Sequence, residues 1–226
     1  MYSKDELIEY SNKRSDKLKF KDYDDYIFSQ VKRGLSFEKD SPEWANGQRI
    51  CIENKFKNLD RNLKILDICC GDGVGLSKFK EMGFNNVFGA EICDEKIEFA
   101  KKFAPVIKTD ICSGPFNFDT DFDIIYSSHS IEHVLNPEYT INNIVKFLKD
   151  DGTFFLILPY PDLKAANPIF EHNFKIHCGT MPLGLHIRDN GASVSNIIKN
   201  MGFHIIDTQF YHYREPEIHL TLKKSI

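Results

Sequence analysis

The stretch YSSHSIEHVL, Tyr126 to Leu135, places His129, Glu132 and His133 in the order H-x-x-E-H. Residues at i, i+3 and i+4 share one face of a helix, so two imidazoles and a carboxylate can converge if Ser128 or Ser130 starts one. Such a trio can ligate a divalent ion, or offer a histidine as general base in the absence of one. The same letters are the ligand pattern of one class of zinc peptidases, where they lie inside a helix. The surrounding elements must decide between these chemistries.

A second set of candidate residues lies earlier. The run LDICCGDGVG, Leu66 to Gly75, is rich in glycine. At the turn from a strand into a helix, glycines let the backbone approach a ligand closely and aim amide N–H groups into the crevice. Glu91 ends the run NVFGAE, where a carboxylate can accept both hydroxyls of a ribose. Asp110 ends VIKTD, where it can meet an adenine amino group. The glycine turn alone is weak evidence, but the ordered set Asp67, Gly71, Gly73, Glu91 and Asp110 is much more specific. A dinucleotide site of the G-x-G-x-x-G type is not met after Gly71 and Gly73.

The elements that must position these groups follow from the apolar pattern. Helical segments are expected at about Lys4–Lys13 and Tyr23–Gly34. Ser41-Pro42-Glu43 has the cap, first-turn proline and early acid of a helix start. From Leu63 onward, short apolar runs alternate with helices: KILDIC, a helix Val74–Met82 closed by Gly83, NVFGAE, a helix Asp94–Phe103 stopped by Pro105, VIKTD, and FDIIYS. Asn136-Pro137 opens a helix carrying Ile141, Ile144, Val145 and Leu148, expected to end at Gly152 before TFFLILP. This alternation means βαβ units and a parallel sheet covered on both faces. After a helix at Ser193–Met201, the runs FHIIDTQF and EIHLTLK are joined by a connection too short for a parallel crossover, so they form an antiparallel hairpin. The expectation is an α/β, Rossmann-like, seven-stranded and mainly parallel sheet with an antiparallel last strand. Residues 1–60 form a helical cap on the substrate side, and 61–226 the main domain, with a long insertion at about 160–190 of the kind that is usually functional.

Composition narrows the classes. The net charge is -4, with 29 Lys and Arg against 33 Asp and Glu, which disfavours a nucleic-acid binder. No apolar run reaches the ~20 residues of a membrane span, and the charged start lacks a secretory signal, so a cytoplasmic location is expected. The six cysteines contain no C-x-x-C pair and read as reduced, mostly buried thiols.

The motif KILDICCGDGVG resembles the first motif of the class I S-adenosylmethionine-dependent methyltransferases, with Cys69 where that family usually has glycine. Glu91, Asp110 and FDIIYSSHSIEHV resemble its second, third and fourth motifs, and the closing hairpin is similar to its last two strands. The resemblance runs from Leu63 to Lys223. It implies that Asp67, Cys69, Gly71 and Gly73 cradle the methionine end of the cofactor. Glu91 with Ile92 would hold the ribose, and Asp110 with Ile111 the adenine, with Ser128 lining the crevice. Arg49, on the helix before the first strand, is a candidate partner for the cofactor carboxylate.

In this setting H-x-x-E-H begins where the fourth strand ends, and the peptidase reading falls away. Many methyltransferases use the Glu-His pair here for packing. The small-RNA 2′-O-methyltransferases and ubiquinone-pathway O-methyltransferases carry E-x-x-E-H, which His129 modifies here. In the RNA enzymes that trio and a later histidine hold a divalent ion. By this resemblance His129, Glu132 and His133 would ligate an ion, with His177 chosen as fourth ligand over His172 and His186 because Gly179 lets the chain turn inward. Imidazole-rich sites suit Fe, Mn, Co or Zn better than Mg. Without an ion, His133 or His129 is the general base. The expected substrate is a small hydroxylated molecule, a sugar or nucleotide-linked sugar. The alternatives are 2′-O-methylation of RNA and a non-catalytic binding protein of the same fold.

Overall fold

The computed structural model describes residues 2–14, 19–31, 39, 41–114, 116, 118, 121–159, 198, 202–212 and 216–224. The expected insertion, with His172, His177 and His186, lies outside the described residues. So does the helix at Ser193–Met201, apart from Ile198.

Seven strands form one sheet: β1 (Ile65–Ile68), β2 (Val87–Glu91), β3 (Val106–Lys108), β4 (Phe122–Ser128), β5 (Leu148–Pro159), β6 (Phe203–His212) and β7 (Pro216–Lys224). Their order is β3-β2-β1-β4-β5-β7-β6. The first five are parallel, while β7 runs antiparallel to both β5 and β6. The α/β class, the strand count and the closing hairpin thus match the expectation. The described helices are α1 (Lys4–Arg14), α2 (Tyr23–Val31), α3 (Pro42–Phe56), α4 (Val74–Glu81), α5 (Asp94–Ala100) and α6 (Pro137–Ile144). Among the described residues no helix is long and apolar enough to cross a membrane.

Strand alternation explains how both faces are covered. In β5, Phe154, Leu156 and Leu158 enter one core, while Phe155 and Ile157 enter the other. The first core takes Leu7 and Ile8 of α1, Tyr23 and Tyr26 of α2, and Ile141 and Ile144 of α6. The second takes Cys51, Ile52 and Phe56 of α3, Leu76 and Phe79 of α4, and Ala100 of α5. The helices ahead of β1 are therefore built into the same two cores as the sheet.

The boundary between α6 and β5 differs from the sequence reading. The side chain of Asn136 caps α6 by accepting from the Tyr139 amide, and Pro137 occupies the first turn. The helix nevertheless stops at Ile144. A single 3₁₀ turn, Val145–Phe147, follows, and β5 begins at Leu148, which pairs with Phe122. Gly152 lies inside the strand and does not end a helix: a Cβ there would sit 2.6 Å from Leu148 Cδ1, so the leucine folds over a position only glycine leaves open. At the start of α3, Ser41 makes no side-chain capping bond, and proline at the first turn is the feature that sets the helix start.

The second core centres on Phe56, fully buried, with ring centroids of Phe79, Phe155 and Tyr126 at 4.8, 4.9 and 5.7 Å. Phe56→Ala is expected to cost about 3–5 kcal/mol, read as a lower urea midpoint. Phe99→Ala, at an exposed position, should stay within about 0.5 kcal/mol of the parent. Equal effects of the two would refute this placement of the core.

Candidate active site

The carboxyl edge of the parallel strands gathers the residues singled out in the sequence. One residue past β1 stands Cys69 with φ +53°, and one residue past the neighbouring β4 stands His129 with φ +52°. Left-handed backbone costs a non-glycine residue roughly 1–2 kcal/mol. Both strain points mark where the chain leaves the sheet. The cysteine that replaces the usual glycine thus does adopt a glycine-like conformation.

The turn after β1 is held open by glycine. Gly71 and Gly73 have φ of +58° and +93°. A Cβ on Gly73, which starts α4, would lie 2.8 Å from Ala100 Cα. A Cβ on Gly75 would lie 2.4 Å from Asp67 Oδ2 and 3.2 Å from Gln48 Nε2. Gln48 therefore brings α3 to the edge of the turn. Its neighbour Arg49 is half-buried on the same helix.

The carboxylates have distinct environments. Glu91 accepts the amide of Gly71 at 3.0 Å on one oxygen, and those of Ile92 and Cys93 at 2.9 and 3.0 Å on the other. Asp67 is 2 % exposed, and its Oδ2 accepts no hydrogen bond from the described residues. Burial, followed by the nearby Glu91 charge, pushes its carboxyl well above the usual carboxylate range. Asp110 accepts the amides of Cys112 and Ser113, the Ser113 hydroxyl at 2.8 Å and the Tyr23 hydroxyl at 2.5 Å. Ile111 beside it is buried, and Ser128 is half-buried at the end of β4. The thiols do not supply anions here. Burial pushes Cys69 and Cys70 well up, and Cys112 to about 12.

His129, Glu132 and His133 come together, but not on an α-helix. Ile131–His133 form one 3₁₀ turn after the strained His129. Glu132 Oε1 lies 3.6 Å from His129 Nδ1 and 3.7 Å from His133 Nε2, with Glu132 2 % exposed. The His129 ring is 7 % exposed and meets Trp44 edge-on, centroids 4.8 Å apart. The His133 side chain is 19 % exposed. His129 turns Nε2 away to Glu217 Oε1 at 3.1 Å. Among the described residues no three His, Cys, Asp or Glu side chains are arranged to hold a metal ion. The chosen fourth ligand, His177, lies outside them.

Sequence reasoning did not find Tyr23, Glu217 or His219 as site residues. Tyr23 belongs to a helix 87 residues from its partner Asp110, a separation that no local pattern reports. Glu217 and His219 alternate with Ile218 and Leu220, a pattern that ordinarily marks a solvent-facing polar side. Here both polar residues are fully buried.

A parallel sheet with a glycine-rich turn after its first strand, an acid after its second and an antiparallel closing strand defines a nucleotide-cofactor enzyme of the class I methyltransferase type. The methyltransferase-domain family matches residues 44–208, and the chain belongs to this family of S-adenosylmethionine-dependent methyltransferases. Its curated relatives include the ubiquinone biosynthesis O-methyltransferase of Bartonella tribocorum, 33% identical over 119 residues and covering 48% of each chain. The mitochondrial ubiquinone biosynthesis O-methyltransferase of Bos taurus is 35% identical over 166 residues, 60% of this chain and 43% of that one. The chain thus spans about half the length of the curated relatives it matches. In fold it is similar to the plantazolicin methyltransferase BpumL, whose structure holds a pentazolic analog and SAH. The TM-score is 0.63 at 16% identity, over 99% of this chain and 100% of that one. A SAM-dependent methyltransferase of Aquifex aeolicus gives a TM-score of 0.60 at 14% identity, over 86% and 96%.

The Asp67 environment sets a pH dependence. Its raised value means the folded chain keeps a proton that the unfolded chain loses above a pKa of about 3.9. The folded state then binds more protons, and this group's contribution to stability falls as pH rises from there through the folded value. In the cofactor-free protein, Asp67→Asn should gain stability relative to the parent as pH is raised from about 4. Urea midpoints of both proteins across that range check this, and a pH-independent difference would sink it.

Proposed function

We propose that this chain transfers a methyl group from S-adenosylmethionine to a hydroxyl oxygen of a small hydroxylated molecule. The observation that carries the reading is the His129-Glu132-His133 corner, which opens at the same sheet edge as the glycine turn. Asp67, with a buried oxygen accepting no bond from the described residues, fits the cationic end of the cofactor. The open turn at Gly71 and Gly73 fits its close approach to backbone. Glu91 and Asp110 serve the ribose and adenine. Their oxygens already accept amides and the Tyr23 and Ser113 hydroxyls, so these contacts orient the carboxylates for a ligand. Arg49 is the candidate partner of the cofactor carboxylate.

The bound cofactor supplies an electrophilic methyl group on a sulfonium. His133, the more exposed imidazole of the pair, would take the acceptor's hydroxyl proton as the acceptor oxygen bonds to the methyl carbon and the methyl–sulfur bond breaks, leaving S-adenosylhomocysteine. Glu132 lies behind it and stabilises the cation that forms. His129 is too enclosed for this role. Holding oxygen and methyl in line is the larger part of the work, and the residues ahead of β1 belong to the face from which an acceptor would approach. The relatives named as ubiquinone biosynthesis O-methyltransferases support an oxygen acceptor, and phenols enter the screen beside the sugars expected from charge.

The test is formation of S-adenosylhomocysteine and methylated product from a panel of phenols, sugars and nucleotide-linked sugars, with and without a chelator. Turnover of a hydroxylated small molecule is expected. Activity only on RNA, or none with tight cofactor binding, would overturn the reading, and loss in chelator would assign the corner to a metal-assisted route. His133→Ala and Glu132→Ala should lower kcat by ~10²–10⁴, with cofactor affinity by calorimetry nearly unchanged. Equal loss of cofactor binding would make both residues structural. Glu91→Ala and Asp110→Ala should instead weaken cofactor binding first, by an order of magnitude or more. Unchanged affinity would remove those carboxylates from the cofactor site.

A further inference from the structure

We propose that Glu217 is a positioning residue of this active site. Its buried carboxylate clamps the imidazole of His129 and, through it, holds Glu132 against His133. The inference rests on the reading of His133 as the general base.

The geometry is that of a carboxylate with both oxygens engaged by imidazoles. Oε1 lies 3.1 Å from His129 Nε2 and Oε2 lies 2.8 Å from His219 Nε2. Glu217 and His219 are fully buried, and the His129 side chain is 7 % exposed. A carboxylate taken out of water is costly unless paired and hydrogen-bonded, so a glutamate kept at this depth is matched to its partners. It is also not where a helix or turn would put an acid by default, because β7 otherwise presents Ile218, Leu220 and Leu222 to the opposite core.

The proton positions follow from the pairing. A carboxylate accepts, so both Nε2 atoms carry hydrogen. That leaves His219 Nδ1 as an acceptor facing Cys51 Sγ at 3.8 Å, a neutral thiol in reach as weak donor. The same logic turns His129 Nδ1 toward Glu132 Oε1, 3.6 Å away. At that distance the ring and Glu132 attract as an ion pair when the ring is protonated, without a direct hydrogen bond between them. Glu132 Oε1 also faces His133 Nε2 at 3.7 Å. The result is an alternating row, His133, Glu132, His129, Glu217, His219, in which only the first member is exposed enough to meet an acceptor. A buried acid that fixes the tautomer and orientation of an imidazole is a known way to order such a site. Trp44 of α3, edge-on to the His129 ring, and Tyr211 of β6, 4.7 Å from the His219 ring, close the row on either side.

Glu217→Gln preserves shape and removes the charge. It is expected to fold and to bind S-adenosylmethionine like the parent, while kcat falls by about 10–100-fold, the order of loss when a residue that orients a site imidazole from outside is removed. The pH profile of kcat should also shift. Among the described residues, the ionisable side chains around Glu217 include Glu132 and His133 from the 3₁₀ turn, His129 after β4, His219 on β7, Cys51 from α3 and Tyr211 from β6. A structural role alone would lower stability without moving that profile. Nitrogen-15 spectra of histidine-labelled parent protein give an independent reading that needs no acceptor and no variant beyond those used for assignment. The His129 ring should carry hydrogen on Nε2, slowly exchanging, and in Glu217→Gln, whose single oxygen can accept from only one of the two rings, the signature of His129 or of His219 should be lost. Parent-like kcat and pH profile in Glu217→Gln, or a His129 ring without hydrogen on Nε2, would overturn the proposal. If no hydroxylated acceptor is turned over, the functional reading fails, and the spectra still decide the clamp. If Glu217→Gln does not fold, the spectrum of the parent decides it.

Discussion

The amides of Gly71, Ile92 and Cys93 converge on the carboxylate of Glu91, and the cofactor edge of the sheet is organised around that contact. A buried carboxylate is tolerated when backbone donors surround it. These three donors come from two different places, the turn after β1 and the start of the loop after β2. Satisfying the charge therefore ties the glycine turn to the neighbouring strand. The backbone bond from the Cys70 amide to the Ala90 carbonyl, 3.1 Å, runs beside it. The same negative charge acts on its surroundings. It adds to burial in raising Asp67 and the thiols of Cys69 and Cys70. Buried thiols and the raised Asp67 carboxyl therefore surround the amide-bound carboxylate of Glu91.

Much of this was legible in the sequence because it depends on local pattern. Strand positions, the glycine run after Leu66 and the Asn136-Pro137 helix start are all encoded within a few residues of where they act, and the structure has them there. Cys69 stands where the family usually has glycine, and with φ of +53° it takes up a backbone that glycine adopts freely. The boundary at Leu148 was not legible. Leu148 has helical spacing from Ile141 and Ile144, and what moves it into β5 is pairing with Phe122 on a strand far away in sequence. The convergence of His129, Glu132 and His133 was expected from helical periodicity. It is reached instead through a left-handed residue and a 3₁₀ turn, so the spacing was informative for a reason other than the one that made it noticeable.

The partners of these groups were hidden for a common physical reason. Tyr23 meets Asp110 and Glu217 meets His129 across 87 and 88 residues, and in each case the residue looks ordinary in its own segment. Tyr23 sits among the acids and aromatics of a short polar helix. Glu217 opens an alternating strand whose polar side would be read as solvent-facing. Burial of that side is a property of the whole sheet, set by α3 laying Trp44 and Cys51 over it.

Strand direction explains why a residue so late in the chain can reach the active edge at all. In β1 to β5 the edge facing the crevice is made by strand ends, Ile68, Glu91, Lys108, Ser128 and Pro159. A sixth parallel strand would offer its last residues there, and its first would lie at the far side of the sheet. Because β7 is antiparallel, its first residues lie at that edge, with Glu217 opposite Pro159 and His219 opposite Ile157. The His129 amide bonds to the Ile157 carbonyl at 3.0 Å, which continues the β4–β5 ladder one residue beyond β4 and sets the imidazole at the level of those two side chains. The reversal of one strand thus does more than close the sheet. It delivers an acid and an imidazole to the corner where His129, Glu132 and His133 meet, from a direction that no parallel strand could supply.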